Sequence, residues 1–220
     1  MSLPRVLEVE YMDTATEAVE YDSMDHSHVN RIFVDDLLAC DNPPTEILDL
    51  GTGTARIPIE LCRRLEDCRV MAVDAASHML ELAHYNIEMA GLGERIQLAR
   101  ADAKRLPYPD GMFSAVVSNS IVHHIPEPLE VLREAVRVTA SGGLLFFRDL
   151  LRPADASELA ALVSRYAGNE SESAQRLFAD SLHAALTLEE VRDMVESLGF
   201  SRESVRATSD RHWTFQANKS

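Results

Sequence analysis

The residues best placed to do chemistry in this 220-residue chain are carboxylates that follow short apolar runs. Ile47-Leu48-Asp49-Leu50-Gly51-Thr52-Gly53-Thr54-Ala55 sets a glycine turn between a strand and a helix. Gly51 and Gly53 carry no side chain, so a ligand can approach the backbone closely there. Val70-Met71-Ala72-Val73-Asp74 ends a second strand on a carboxylate that can accept from both hydroxyls of a ribose. These two features suit any adenosine-bearing ligand. Asp49 narrows the choice, because a dinucleotide pyrophosphate seeks helix-start amides with little negative charge nearby. A ligand carrying an ammonium suits Asp49, which would meet it directly or through water, or else hold the glycine loop by hydrogen bonding. Asp102 ends a third strand, and with Ala103 it can meet an adenine edge: the carboxylate accepts from the exocyclic amine and a backbone N–H donates to a ring nitrogen.

Further along, Asn119 closes a strong fourth strand and has two readings, orienting the cofactor or acceptor, or stabilising a turn. His123 and His124 follow before Pro126. Histidine can take an acceptor's proton near neutral pH, but adjacent side chains face differently, so at most one is expected in a pocket, as a base or as a wall residue. Arg148 and Asp149 come just after an apolar fifth strand. Arg148 would bind an acceptor carboxylate and Asp149 would orient or deprotonate a donor; the alternative is an ion pair with Arg152 or another loop residue that closes the fold. Tyr21 and His26 are placed as an N-terminal flap, and His183, Tyr166, Arg211 and His212 as further wall residues. Trp213 reads as core or rim.

These residues need a frame of alternating strands and helices. Strands are expected at Ile47–Leu50, Val70–Val73, Ile96–Ala99, Phe113–Val117 and Leu144–Phe147, the last entered through a turn at Gly142-Gly143. Helical spacing covers about 26 to 40 and the stretches around Ile57–Leu65, Met79–Ile87 and Leu129–Val138, with Ser77 as a cap. Tyr11, Tyr21, Met24 and His26 lie in a polar segment before the first helix. Thr187-Leu188-Glu189-Glu190 is a capping box for a late helix stopped by Gly199, and Val205/Ala207 with Trp213/Phe215 alternate as an edge hairpin. Strand-helix alternation predicts a mostly parallel sheet covered on both faces, with ligands beyond the carboxyl ends of the strands.

Composition bounds the function. Lys+Arg 21 against Asp+Glu 36 gives a net charge of −15, which repels phosphate backbones, so nucleic acid is not an expected partner. No apolar run reaches the roughly 20 residues of a membrane span, and the first residues lack a signal-peptide pattern, so a cytoplasmic location is expected. Three cysteines, Cys40, Cys62 and Cys68, argue against a disulfide framework, and the spacing of the last two is wrong for a zinc knuckle; no metal is expected.

Asp49-Leu50-Gly51-Thr52-Gly53, Asp74, Ala101-Asp102-Ala103 and Ser118-Asn119-Ser120 with His123-His124 resemble the motif series of class I S-adenosylmethionine-dependent methyltransferases, in particular the small-molecule branch. The resemblance is strong over about Glu46 to Asp149. It implies an α/β fold, a three-layer Rossmann-like sheet of seven strands, mostly parallel with an antiparallel last strand. It also implies methyl transfer by direct displacement, with Gly51, Thr52 and Gly53 at the methionyl part, Asp74 at the ribose, Asp102 and Ala103 at the adenine, and Ala75 and Met79 bordering the adenosyl site. Thr54-Ala55 stands where this family frequently has another glycine. The expected organisation is a helical cap or flap over residues 1–44 and a methyltransferase domain over 45–220, with a lid or substrate wall at 152–186. On this reading S-adenosylmethionine is the cofactor and Asp49 and Asn119 belong to its site. His124, Arg148 and Asp149 are the catalytic candidates, and Tyr21, His123 and His183 the acceptor-binding ones. The acceptor is a small molecule, and the oligomeric state is open. An NAD-dependent oxidoreductase and a noncatalytic S-adenosylmethionine-binding protein are the alternatives.

Overall fold

A computed structural model describes residues 3–8, 13–23, 27–40 and 44–220. The expectations placed on Tyr11, Met24 and His26 lie outside the described residues. By its internal contacts the chain forms two compact units, one of Tyr11–Asn119, Glu130–Phe147 and Gln216–Ser220, the other of Met1–Glu10, Ser120–Leu129 and Arg148–Phe215.

The first unit holds α1 (Ala15–Ser23), α2 (Ser27–Leu38), β1 (Glu46–Leu50), α3 (Arg56–Arg64), β2 (Arg69–Asp74), α4 (Ser77–Ala90), β3 (Ile96–Arg100) and β4 (Phe113–Asn119), and most of α5 (Pro128–Val138). β1 pairs in parallel with β2 on one side and β4 on the other, and β2 with β3. Alternate strand residues explain its core. Ile47, Val70, Ala72, Ala115, Val117 and Phe146 pack with Phe33 and Leu37 of α2, Leu61 of α3 and Ile87 of α4. Residues of the opposite parity, Leu48, Leu50, Val73, Val116 and Leu145, are equally buried, as a sheet covered on both faces requires.

The second unit holds the 3₁₀ turn Val122–His124, α6 (Ala156–Ala167), α7 (Glu172–Ala184), α8 (Leu188–Ser197), a 3₁₀ turn at Arg202–Ser204 and β6 (Val205–Ala207). Leu150, Leu162, Leu182 and Ala185 form one of its apolar clusters. Thr187 caps α8 as expected: its hydroxyl accepts from the Glu190 N–H while the Glu190 carboxylate accepts from the Thr187 N–H.

With β5 (Thr139–Leu150) and β7 (His212–Asn218), the seven strands form one sheet in the order β3-β2-β1-β4-β5-β7-β6, with β6 and β7 antiparallel and Val205 opposite Phe215. This is the Rossmann-like arrangement with antiparallel C-terminal strands. The order reverses at β1 and β4, which places a ligand crevice beyond Leu50 and Asn119.

Four local expectations are corrected. Tyr21 lies in a helix of its own, α1, where a polar segment was expected before the first helix. Ser77 does not cap α4; Ala76 occupies the cap position, and Asp13 accepts from the His78 N–H at 3.2 Å from outside the helix. Gly142-Gly143 does not precede the fifth strand but lies within it, because the Gly142 N–H donates to the Lys219 carbonyl and the Lys219 N–H to that of Gly143. Arg148 and Asp149 consequently sit inside β5, both buried, and not after it.

Candidate active site

The glycine turn is built from three left-handed residues in alternation, Gly51 at φ 69°, Gly53 at φ 55° and Ala55 at φ 63°. Glycine meets that demand at the first two positions without strain. At the third, where the resembling family often has glycine, Ala55 adopts it at a cost of about 1–2 kcal/mol, with its methyl fully buried in the core. The turn is tied to β2 at three points. The Gly51 and Thr52 N–H groups donate to the Val73 carbonyl at 2.8 and 2.9 Å, and the Gly53 N–H donates to Asp74 Oδ2 at 2.8 Å. Asp74 Oδ1 accepts from the Ala76 N–H at 2.9 Å, so this one carboxylate joins the glycine turn to the start of α4. Burial raises the Asp74 pKa, and the amides it accepts from oppose that rise.

Asp49 is 2% exposed. Burial pushes its carboxyl up to about 7; the Thr52 hydroxyl opposes this without meeting hydrogen-bond geometry, and the Asp74 charge adds to the rise. Three buried oxygens here have no hydrogen-bond partner among the described residues: Asp49 Oδ2, Thr52 Oγ1 and Asn119 Oδ1. Asp49, Thr52, Asn119 and Gly51 line the same cleft, together with Tyr21 and Asn86, and the cleft has a volume of about 560 Å³. That is ample for a small ligand. Buried acceptors left without donors are costly unless a ligand supplies the donors, and an ammonium supplies three.

α1 borders this cleft. Ala18 packs on Ala76 and Met79, with Tyr21 partly buried against them, and Tyr21 Cε1 comes within 3.6 Å of where a β-carbon on Gly53 would stand. Burial raises the Tyr21 phenol pKa, with Asp74, Asp22 and Asp49 adding to it. Asp22 accepts from Arg56 at 3.0 and 2.7 Å and from Asn86 at 3.3 Å, and Asn86 also donates to the Thr54 carbonyl at 3.1 Å. Sequence reasoning missed Asp22, Arg56 and Asn86, all of which line the cleft. The Tyr21-Asp22 pair, in the last turn of α1, was the available signal. Ala75, Met79, Asp102 and Ala103 are not among the residues lining the cleft. Asp102 is exposed, accepting from the Lys104 N–H at 2.9 Å and pairing with Lys104 Nζ at 3.2 Å.

In the second unit, Asp149 is not an ion-pair partner of Arg152, which bonds Glu190 at 2.6 Å. Asp149 Oδ1 lies 2.5 Å from His123 Nδ1, and its Oδ2 accepts from the Val122 N–H at 2.6 Å. Burial opposes charge on both members, yet their attraction wins: His123 is held above the usual histidine range and Asp149 below the carboxylate range. Arg148 Nε donates to Thr214 Oγ1 at 3.0 Å. His123 and His124 do not face apart, since the 3₁₀ turn stacks their rings at 4.0 Å and turns both toward Glu8. His183 Nδ1 is buried without a hydrogen-bond partner, and its carbonyl accepts from the Val6 N–H. Trp213 is fully buried, as a core residue. Arg211 stacks on Tyr166, 3.5 Å from the ring centroid.

The strand order, the glycine turn and the buried acceptors define a class of protein, and the sequence comparison agrees. Residues 48–147 match the methyltransferase-domain family, and the seven-stranded α/β sheet has the fold of S-adenosylmethionine-dependent methyltransferases. It is similar to the 27-O-demethylrifamycin SV methyltransferase of Amycolatopsis mediterranei, 28% identical over 177 residues that cover 79% of this chain and 61% of that one. The demethylmenaquinone methyltransferase of Porphyromonas gingivalis is 26% identical over 208 residues, 87% of this chain and 84% of the relative. A solved S-adenosylmethionine-dependent methyltransferase from Aquifex aeolicus shares the fold, with a TM-score of 0.67 at 17% identity over 94% of this chain and 98% of that one. The chain thus spans less than two thirds of the first of these relatives. The family's cofactor is S-adenosylmethionine.

Proposed function

We propose that this chain transfers a methyl group from S-adenosylmethionine to a small-molecule acceptor. The observation that carries the reading is the pair of buried, unpartnered oxygens on Asp49 and Asn119 in the cleft beside the glycine turn. A pyrophosphate would bring further acceptors to oxygens that lack donors, which speaks against a dinucleotide. When bound, the cofactor supplies a methyl group already activated on a sulfonium. Asp49 and Asn119 would receive the ammonium, and Gly51, Thr52 and Gly53 would leave room for the methionyl part. Asp74 keeps lone pairs beyond the two amides it serves, enough for ribose hydroxyls. Ala75, Met79, Asp102 and Ala103 are assigned to the adenosyl end, and Tyr21 on α1, within the proposed 1–44 cap, to covering the site. Alignment of acceptor with methyl group supplies most of the catalysis.

For the acceptor, Arg148 and Asp149 are bound to Thr214 and His123, which supports positioning roles for both. His123, His124 and His183 remain the acceptor-side candidates, and the 152–186 segment, carrying α6 and α7, the candidate wall. The names of the relatives, a rifamycin and a demethylmenaquinone methyltransferase, support a small organic acceptor. The net charge of −15 speaks against nucleic acid, and no helix among the described residues is long and apolar enough to cross a membrane. Three free cysteines support a reducing, cytoplasmic setting. Incubation with methyl-labelled S-adenosylmethionine and a panel of phenols, quinols, amines and thiols tests the reading. Label transfer with formation of S-adenosylhomocysteine is expected; cofactor binding with no transfer across the panel would favour the noncatalytic alternative.

A further inference from the structure

Glu8 lies 115 residues before the adjacent pair His123-His124 in sequence, yet one ligand-capable atom of each of the three falls within 4.8 Å of the others. Glu8 Oε1 stands 3.0 Å from His124 Nδ1 and 3.5 Å from His123 Nε2. In a tetrahedral zinc site with bonds of about 2.0–2.1 Å, neighbouring ligand atoms stand about 3.3 Å apart. The two distances bracket that spacing. Glu8 Oε1 and His124 Nδ1 are both buried and lie at ion-pair distance, yet neither meets hydrogen-bond geometry with any group among the described residues. At that distance the two groups can form an ion pair, and a cation held by both would use the lone pairs that such a pair leaves unsatisfied.

The rings are also held as a metal site requires. Asp149 binds His123 Nδ1 at 2.5 Å, which aims Nε2 at Glu8 and makes it the more basic nitrogen, the usual arrangement behind a metal-bound histidine. The backbone beneath is fixed from outside, because Arg5 donates to the carbonyls of His123 at 3.1 Å and Ile125 at 3.0 Å. We propose that Glu8, His123 Nε2 and His124 Nδ1 bind a divalent first-row transition metal. Two imidazoles and one carboxylate select zinc or iron(II) over magnesium or calcium, which prefer all-oxygen sites. Three protein ligands leave at least one position for water or an oxygen of a small ligand. The two histidines are also acceptor-side candidates, so the test of the metal site does not use turnover.

The full chain, stripped with a chelator, is titrated with cobalt(II) and followed by visible absorption, then back-titrated with zinc(II). One equivalent of cobalt is expected, with the intense bands of a low-coordinate site, displaced stoichiometrically by zinc. Glu8→Gln and His124→Ala, at partly exposed positions, are each expected to abolish stoichiometric binding while circular dichroism stays native. Asp149→Asn should weaken binding about 10- to 100-fold, as loss of a supporting carboxylate does. His84→Ala, an exposed histidine on α4, should change nothing. Failure of the wild type to take up one equivalent, or equal uptake by both Glu8→Gln and His124→Ala, would overturn the assignment.

Discussion

Replacing Asp49 by asparagine separates what the fold wants from what the ligand wants. The side chain is 2% exposed and its pKa is raised from 3.8 to about 7, chiefly by burial. An acid whose folded pKa is raised binds protons more tightly when folded. Stability therefore falls as pH rises from about 4 to 7 and stays at the lower level above that. Raising the proton affinity from 3.8 to about 7 corresponds to up to about 4 kcal/mol lost by pH 8. Asparagine has the same shape and no charge, so Asp49→Asn is expected to raise stability at pH 8 by up to that amount. In a chain of this size the melting temperature should rise on the order of 10 °C. At pH 4.5, only a little above the unfolded-state pKa of 3.8, about 1 kcal/mol of that difference remains, so the two melting temperatures should lie within a few degrees of each other. The same substitution removes the anionic partner of the ammonium, worth about 1.5–3 kcal/mol, and should weaken S-adenosylmethionine binding about 10- to 100-fold. Melting curves of both proteins at pH 4.5 and pH 8, beside calorimetric titration at pH 8, make the comparison. A variant no more stable than wild type at pH 8, or one that binds the cofactor as tightly, would refute the reasoning.

The same ionisation should appear in the wild type. With a pKa of about 7 for Asp49 in the free protein, the ionised fraction rises ~8-fold between pH 6 and 7.5, and cofactor affinity measured by calorimetry should rise with it; a flat profile would remove Asp49 from the ammonium site. Asn119→Ala deletes an oxygen that has no partner in the free protein, so it should change stability by under about 1 kcal/mol yet weaken cofactor binding about 10-fold. Asp74→Ala should behave differently, because it frees the Gly53 and Ala76 amides: urea titration should show a loss of about 1–3 kcal/mol alongside the loss of affinity.

The strands of the first unit were legible because each is a short apolar run bounded by polar or glycine residues, and the carboxylates that end β1 and β2 fall where the strand pattern puts them. Sequence reasoning failed where tertiary partners decide. Gly142-Gly143 looks like a turn until the Lys219 backbone pairs with it and keeps the strand going. α1 was missed because few of its side chains are apolar and, among the described ones, Ala18 and Tyr21 pack against Ala76 and Met79, too little for a periodic signal. At the site, Asp49, Gly51, Thr52 and Asn119 converge on one cleft as expected, but the second role of Asp74, fastening the glycine turn to α4, is not readable from a carboxylate at a strand end. Adjacent histidines face apart in strands, whereas the 3₁₀ turn at Val122–His124 stacks them, and Glu8 meets them from a distance no local pattern reports.

Binding at the glycine turn is the claim on which the rest stands, and a paired calorimetric titration of the wild-type chain with S-adenosylmethionine and with NAD tests it most directly. One saturable site for S-adenosylmethionine and no measurable heat with NAD is the expected result. Saturable binding of NAD, or none of S-adenosylmethionine, would contradict the account.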